Sequence, residues 1–164
     1  MNTLIHDSPV GSLTLASDEG KLVGCYFANH KFATQHQADH VNGARVRDAV
    51  LDRAREELDE FFAGRLKTFT VAVDPRGTEF QRRVWKALRT IPFGKTMSYG
   101  HIAKQIGAPA AMRAVGAANG QNPICIIIPC HRVVGANGSL TGFGGGLDRK
   151  RFLLGLERGE PSLL

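Results

Sequence analysis

The chain is poor in the residues that build disulfide frameworks and metal cages. Its three cysteines, Cys25, Cys125 and Cys130, are an odd count without framework spacing. The six histidines form no ligand-spaced set with them, so the sequence predicts no metal site. No window is long and apolar enough to span a bilayer. The N-terminus also lacks a basic segment followed by an apolar stretch, so no secretory signal and no membrane partner is predicted. Reduced thiols in a cytoplasmic setting follow.

What is present is the composition of an ordinary soluble globular protein, 43% hydrophobic and 22% charged. At 164 residues it suits one domain, or two small lobes sharing a core. The formal charge of +6 suits an anionic partner without proving one. Nineteen glycines, many in the last third, predict turns and close backbone approaches there.

The first lobe reads as a small α+β scaffold, with a lobe boundary at Asp74-Pro-Arg-Gly77 that divides residues 1–73 from 74–164. Leu13 and Leu15 alternate with polar residues, and a turn at Asp18-Glu-Gly20 leads to Leu22–Phe27, predicting a hairpin. Residues 28–43, with His30, His36 and His40, read as an exposed loop. Val46, Val50, Leu51, Ala54, Leu58, Phe61 and Phe62 recur at helical spacing, predicting a helix over about 44–63 that stops at Gly64. Lys67–Val73 reads as another strand.

The second part is mostly helical. Thr78-Glu-Phe-Gln81 matches a capping box, with Phe80, Val84, Trp85 and Leu88 on one face. Ser98 caps a helix over 99–106, and Pro109 suits the first position of a second helix over about 110–119. Two short helices joined by a glycine-containing turn form the helix-turn-helix pattern, although an ordinary αα-hairpin has the same signature. In the second helix nearly every side chain is small apart from Arg113 and Asn119. Such a helix packs closely against a groove but reads little base sequence.

The informative stretch is Asn122–Val134. An apolar run, Ile124–Ile128, reads as a short buried strand or extended segment that Pro129 terminates. Cys130, His131 and Arg132 follow directly, a thiol in an electropositive setting that favours thiolate. Taken alone, a cysteine after an apolar run is usually a small, inert core residue. A glycine segment, Gly142-Phe-Gly-Gly-Gly146, follows, and then a last helix capped by Asp148, with Glu157 near its end and a frayed tail from Arg158.

Pro129-Cys-His-Arg-Val133 after a small-residue helix-turn-helix, followed by a glycine loop and a Leu-Leu-x-x-Glu helix, resembles the O6-alkylguanine-DNA alkyltransferases. The likeness is close over 74–157 and looser in Asp7-Ser-Pro-Val-Gly11 and Phe61-Phe-Ala-Gly64. It implies a ribonuclease-H-like α/β N-terminal lobe and a mostly helical C-terminal lobe. It also implies DNA repair by direct reversal. A damaged base flips out of duplex DNA, and the alkyl group of O6-alkylguanine, and by the same chemistry O4-alkylthymine, passes irreversibly to Cys130. By the same resemblance His131 takes the Cys130 proton through a water, and Glu157 orients and charges the imidazole. Tyr99 donates toward the purine and crowds the rotating phosphate. Arg113 fills the gap left by the flipped base, on a DNA-facing surface that includes Ala110, Ala111, Ala114 and Gly116. Asn122 ties the turn after the groove helix to the active-site segment. The carbonyls of Cys130 and Val133 accept from the guanine amine, Phe143 walls the pocket, and Gly144 offers its N–H to O6.

Phe143 and Gly144 stand where many relatives carry tyrosine and serine, and Ser17 and Leu22 where some carry zinc ligands, so no zinc is expected. The resemblance also implies that no cofactor is needed and that the protein is a monomer with scope for cooperativity along DNA; a thioether on cysteine is a poor leaving group, so each molecule acts once. Two other readings compete: a DNA-binding or lesion-sensing module without chemistry, and a cysteine hydrolase using Cys130 and His131. Cys130 itself argues against the first, and the lack of an oxyanion or substrate signature against the second.

Overall fold

The computed structural model describes residues 1–35, 47–140 and 143–160. The chain divides into two compact units, Met1–Pro75 with Pro123–Ile127, and Arg76–Asn122 with Ile128–Leu164.

The first unit is built on an antiparallel meander of β1 (Asn2–Ser8), β2 (Gly11–Asp18) and β3 (Lys21–Phe27), in that order. The expected hairpin is thus β2–β3, and β1 adds a third strand on its outer side. Within the predicted loop 28–43, Lys31–Gln35 instead forms a short helix, α1; His36 and His40 lie outside the described residues. Helix α2 (Ala49–Phe62) starts at Asp48, whose carboxylate accepts from the Val50 and Leu51 N–H groups, several residues later than periodicity suggested. The proposed beginning at Ala44–Val46 is likewise outside the described residues. At the other end Gly64, at φ 78°, closes the helix as expected, its N–H donating to Phe61 and that of Arg65 to Glu60.

The predicted strand over 67–73 does not form. Val73 makes only an isolated parallel bridge to Leu22. The N–H groups of Thr70 and Val71 donate instead to the Glu57 carboxylate, at 2.9 and 2.7 Å. A buried side chain has taken the place of a neighbouring strand.

The Ile124–Ile128 run is not a strand either. After one bridge to Cys25 the chain turns tightly. Ile127 N–H donates to Cys125 across Ile126, which is held at φ 72°, a strained region for a β-branched residue. Cys130 N–H then donates to Ile128 across Pro129, at φ −81° and ψ 65°, an inverse γ-turn. An apolar run shows burial but not backbone conformation, and here the buried polar groups are satisfied turn by turn.

In the second unit α3 (Glu79–Leu88) opens with the full reciprocal capping box of Thr78 and Gln81. It buries Val84, Trp85 and Leu88, and the Trp85 indole donates to the Ala118 carbonyl at 2.8 Å. Met97–Ser98 forms β4, then α4 (Tyr99–Gln105) begins with Ser98 as its cap. Helix α5 is Met112–Gly120. Pro109 and Ala110 lie in the preceding turn rather than in the helix, and the 108–111 turn closes with its own hydrogen bond. A 3-10 turn, Cys130–Arg132, leads into β5 (Val133–Val134), which pairs in parallel with β4.

The last helix, α6, is Leu147–Glu157. Gly146 at φ 93° precedes it, and Asp148 lies in its first turn without capping it. The expected fraying at Arg158 is replaced by a closed end. Glu160 N–H donates to Gly155 and Gly159 N–H to Leu156, a Schellman arrangement that makes Glu157 the last helical residue.

Candidate active site

Cys130 opens the 3-10 turn and is 2% exposed. None of the three cysteines is in a disulfide. The register Met97↔Val133 and Ser98↔Val134 ties the start of α4 to the exit of this turn. Tyr99, the first residue of α4, is thereby fixed relative to Cys130. Its ring lies against Gly116 of α5, where an added Cβ would stand 3.9 Å away.

His131 is fully buried, with its Nε2 2.8 Å from Glu157 Oε2. Arg132 grips the same carboxylate as a fork, Nε to Oε1 and Nη2 to Oε2, each at 2.9 Å. Its third nitrogen donates to the Ile91 carbonyl at 2.7 Å. The Gly94 N–H adds a bond to Glu157 at 3.2 Å. The guanidinium is thus committed to Glu157 and Ile91, not simply a positive neighbour of the thiol as the linear order suggested.

Burial alone would raise the Glu157 pKa, but the hydrogen bonds and charges of His131 and Arg132 outweigh it and hold it at about 2. An ionised carboxylate only accepts, so His131 Nε2 carries the proton and donates. Burial is the largest influence on His131 and lowers its pKa. The Glu157 bond partly offsets this, while Arg132 and Lys150 push the same way as burial. The resting imidazole is neutral, and its Nδ1 lone pair has no hydrogen-bond partner among the described residues. That is the form a general base requires.

Two side chains absent from the sequence-based site hold backbone around the thiol. Asn119, in the last turn of α5, donates Nδ2 to the Cys130 carbonyl at 3.3 Å. Lys150 of α6, fully buried, donates Nζ to the Val133 carbonyl at 2.6 Å. Burial pulls the Lys150 pKa down, with the charge of Cys130 a partial offset. Both lie on the inward stripe of their helices, Val115-Ala118-Asn119 and Lys150-Leu153-Leu154-Glu157. A polar residue on an otherwise apolar stripe is the signal that could have found them.

Of the other expected residues, Asn122 is buried and donates Nδ2 to the Ile128 carbonyl at 2.8 Å. Phe143 is half-buried, its ring centroid 5.9 Å from Lys150 Nζ. Gly144 is exposed, and Gly142 lies outside the described residues. Arg113 and Ala114 are exposed on the first turn of α5, Ala111 precedes the helix, and Ala110 is exposed in the turn. Among the described residues no three of His, Cys, Asp and Glu gather to hold a metal, and no helix is long and apolar enough to cross a membrane.

Residues 2–75 match the family model described as 6-O-methylguanine DNA methyltransferase, ribonuclease-like domain, and 79–159 the corresponding DNA binding domain. The chain belongs to the 6-O-methylguanine DNA methyltransferase family. A methylated-DNA–protein-cysteine methyltransferase of Mycolicibacterium paratuberculosis is 53% identical over 152 residues, covering 93% of this chain and 89% of the relative. One from Methanosarcina acetivorans is 50% identical, covering 93% and 96%. Among solved structures, Mycobacterium tuberculosis OGT in complex with DNA matches at TM-score 0.83 and 49% identity, over 96% of this chain and 94% of that one. The chain thus carries a ribonuclease-like domain followed by a DNA binding domain, on a fold like that of this solved methyltransferase.

Proposed function

We propose that the protein repairs duplex DNA by moving the alkyl group of O6-alkylguanine, and of O4-alkylthymine, irreversibly onto Cys130. The observation that carries this reading is the buried His131–Glu157 pair one residue from the thiol, with Nδ1 left as a base. A water passes the thiol proton to Nδ1, and Glu157, already ionised, stabilises the imidazolium that forms. The thiolate attacks the alkyl carbon. The S–C bond forms as the C–O6 bond breaks, and the leaving purine anion is met by the Tyr99 hydroxyl and the Gly144 N–H.

The lesion reaches this buried thiol by flipping, which costs a few kcal/mol of stacking. Arg113, exposed on α5, replaces the lost stack. The small side chains Ala110, Ala111, Ala114 and Gly116 let the helix approach the groove without reading sequence. Tyr99 crowds the phosphate that rotates. Asn122 braces the approach to the nucleophile, and Phe143 walls the base pocket. The related OGT crystallised in complex with DNA supports DNA as the partner. We place the protein in the cytoplasm, working on DNA as a monomer and without a cofactor.

Intact-protein mass after incubation with a duplex carrying O6-methylguanine tests this directly. Wild type should gain one methylene mass, once per molecule, and Cys130→Ala none. Retained lesion binding without a mass gain would mean a non-catalytic lesion sensor and overturn the proposal.

A further inference from the structure

The positive charge of the chain is concentrated in one stretch. Of 21 lysines and arginines and 15 acidic residues, 76–105 hold seven and one. The rest of the chain, with fourteen of each sign, is balanced. Within this stretch Arg82, Lys86 and Arg89 recur along α3 at i, i+4 and i+7, all exposed. Their side chains make no hydrogen bond or ion pair among the described residues. Arg83 beside them is committed, donating to the Ile106 carbonyl at the end of α4.

Helices α3, α4 and α5 pack pairwise around one core. Each turns its buried residues inward, Val84 and Leu88 on α3, Ile102 and Ala103 on α4, Val115 and Ala118 on α5. Helix α3 meets α5 through Trp85 and Gln81, which reach Ala118 and Gln121. The outward faces of α3 and α5 therefore diverge. Duplex DNA is stiff over tens of base pairs, so a straight duplex seated on Arg113 and Ala114 of α5 leaves the α3 stripe unengaged. We propose that Arg82, Lys86 and Arg89 bind the phosphates of a second DNA duplex, separate from the one held by α5. The inference rests on the proposed function for the duplex on α5.

The spacing suits a phosphate strand. Seven residues of helix rise about 10 Å, and one DNA strand carries a charge about every 3.4 Å, so three cations lie along about three phosphates. The stripe is not simply a solvated face. Surfaces that serve solubility intersperse the two signs, and α3 instead brings like charges together at i, i+4 (Arg82 and Lys86) and i, i+3 (Lys86 and Arg89). Such pairs weaken a helix. A polyanion laid along them turns that repulsion into attraction.

The test counts duplexes. Duplexes of about ten base pairs, too stiff to bend around both faces, are added in excess at about 50 mM salt, and the number on each protein is read by sedimentation equilibrium. Wild type should carry two, and Arg82→Gln/Lys86→Gln/Arg89→Gln one. The second duplex should leave wild type with a log–log salt slope of about −3, as expected for three phosphate contacts. Arg82→Lys/Arg89→Lys keeps all three charges and should still carry two, which separates loss of charge from damage to the helix. Methyl transfer from a saturating lesion duplex should run at the same rate in all three proteins. One duplex on wild type would overturn the inference; a shallower salt slope in the glutamine variant would then assign the stripe to a longer footprint on that duplex. Two duplexes on the glutamine variant would overturn it as well. Failure of wild type to transfer methyl would count against the proposed function alone, because the number of duplexes is read without any transfer.

Discussion

Glu157 is the side chain on which most of the site depends, because it accepts from His131, Arg132 and the Gly94 N–H together. Glu157→Gln would leave a buried guanidinium without its counter-charge, at a cost of about 3 kcal/mol or more. It would also remove the anion that supports the imidazolium, so transfer should slow by about a hundredfold, within the usual range for general-base effects. Chemical denaturation and single-turnover kinetics on the same variant check both. The pH dependence of stability follows from two lowered pKa values. The contribution of neutral His131 is complete above its unfolded value of 6.5 and declines as pH falls below it. That of Glu157 is complete above 4.5 and is lost as pH falls toward about 2. Wild type should therefore lose stability progressively below pH 6.5, and Glu157→Gln should show a shallower loss between pH 4.5 and 2. Identical acid profiles for the two proteins would contradict this account. At this scale the motif singled out Cys130, His131 and Glu157, and the structure brings the last two into contact. The sequence hid the bidentate grip of Arg132, because a guanidinium beside a thiol in sequence says nothing about which carboxylate a distant helix brings.

Secondary elements were legible where local chemistry decides them. The reciprocal cap at Thr78 and Gln81, the Ser98 cap and the Gly64 stop all act within a few residues. Elements failed where a remote group competes for the backbone. At Thr70 and Val71, Glu57 supplies the acceptors that a strand would have supplied. Glu57→Ala should leave those N–H groups unsatisfied and destabilise the protein by about 2 kcal/mol, read from denaturant midpoints. Gly77 is closed to a side chain for a different reason. A Cβ there would stand 2.5 Å from the Trp85 ring, so Gly77→Ala should cost about 1–3 kcal/mol. On α5 the position facing Tyr99 has room for one methyl group, with ring atoms 3.9 Å from an added Cβ. Gly116→Ala should bind DNA nearly as wild type, whereas Gly116→Leu should weaken binding by about tenfold or more, since overpacking displaces its neighbours. Fluorescence anisotropy with a short duplex distinguishes them.

For the whole molecule the net charge of +6 has a definite consequence if DNA is the partner. Phosphate contacts release counterions, so affinity should fall linearly on a log–log plot as salt rises, with similar slopes for intact and damaged duplexes. A flat salt response would remove the basic surface from the binding account. Fold class was legible because each part has its own periodicity, β alternation followed by helical spacing. The path of the chain was not: 123–127 packs with the first unit although it lies deep in the sequence of the second. Nothing in an apolar pentapeptide marks where it will be buried. The near-complete burial of Cys130, at 2% exposure, also bears on how long the protein can wait. A reagent consumed by its first reaction must not be spent on peroxides, free thiols or stray electrophiles in the surrounding solution. Enclosure makes the idle lifetime of the molecule long, and leaves its supply to be drawn down by lesions rather than by the chemistry of the cell.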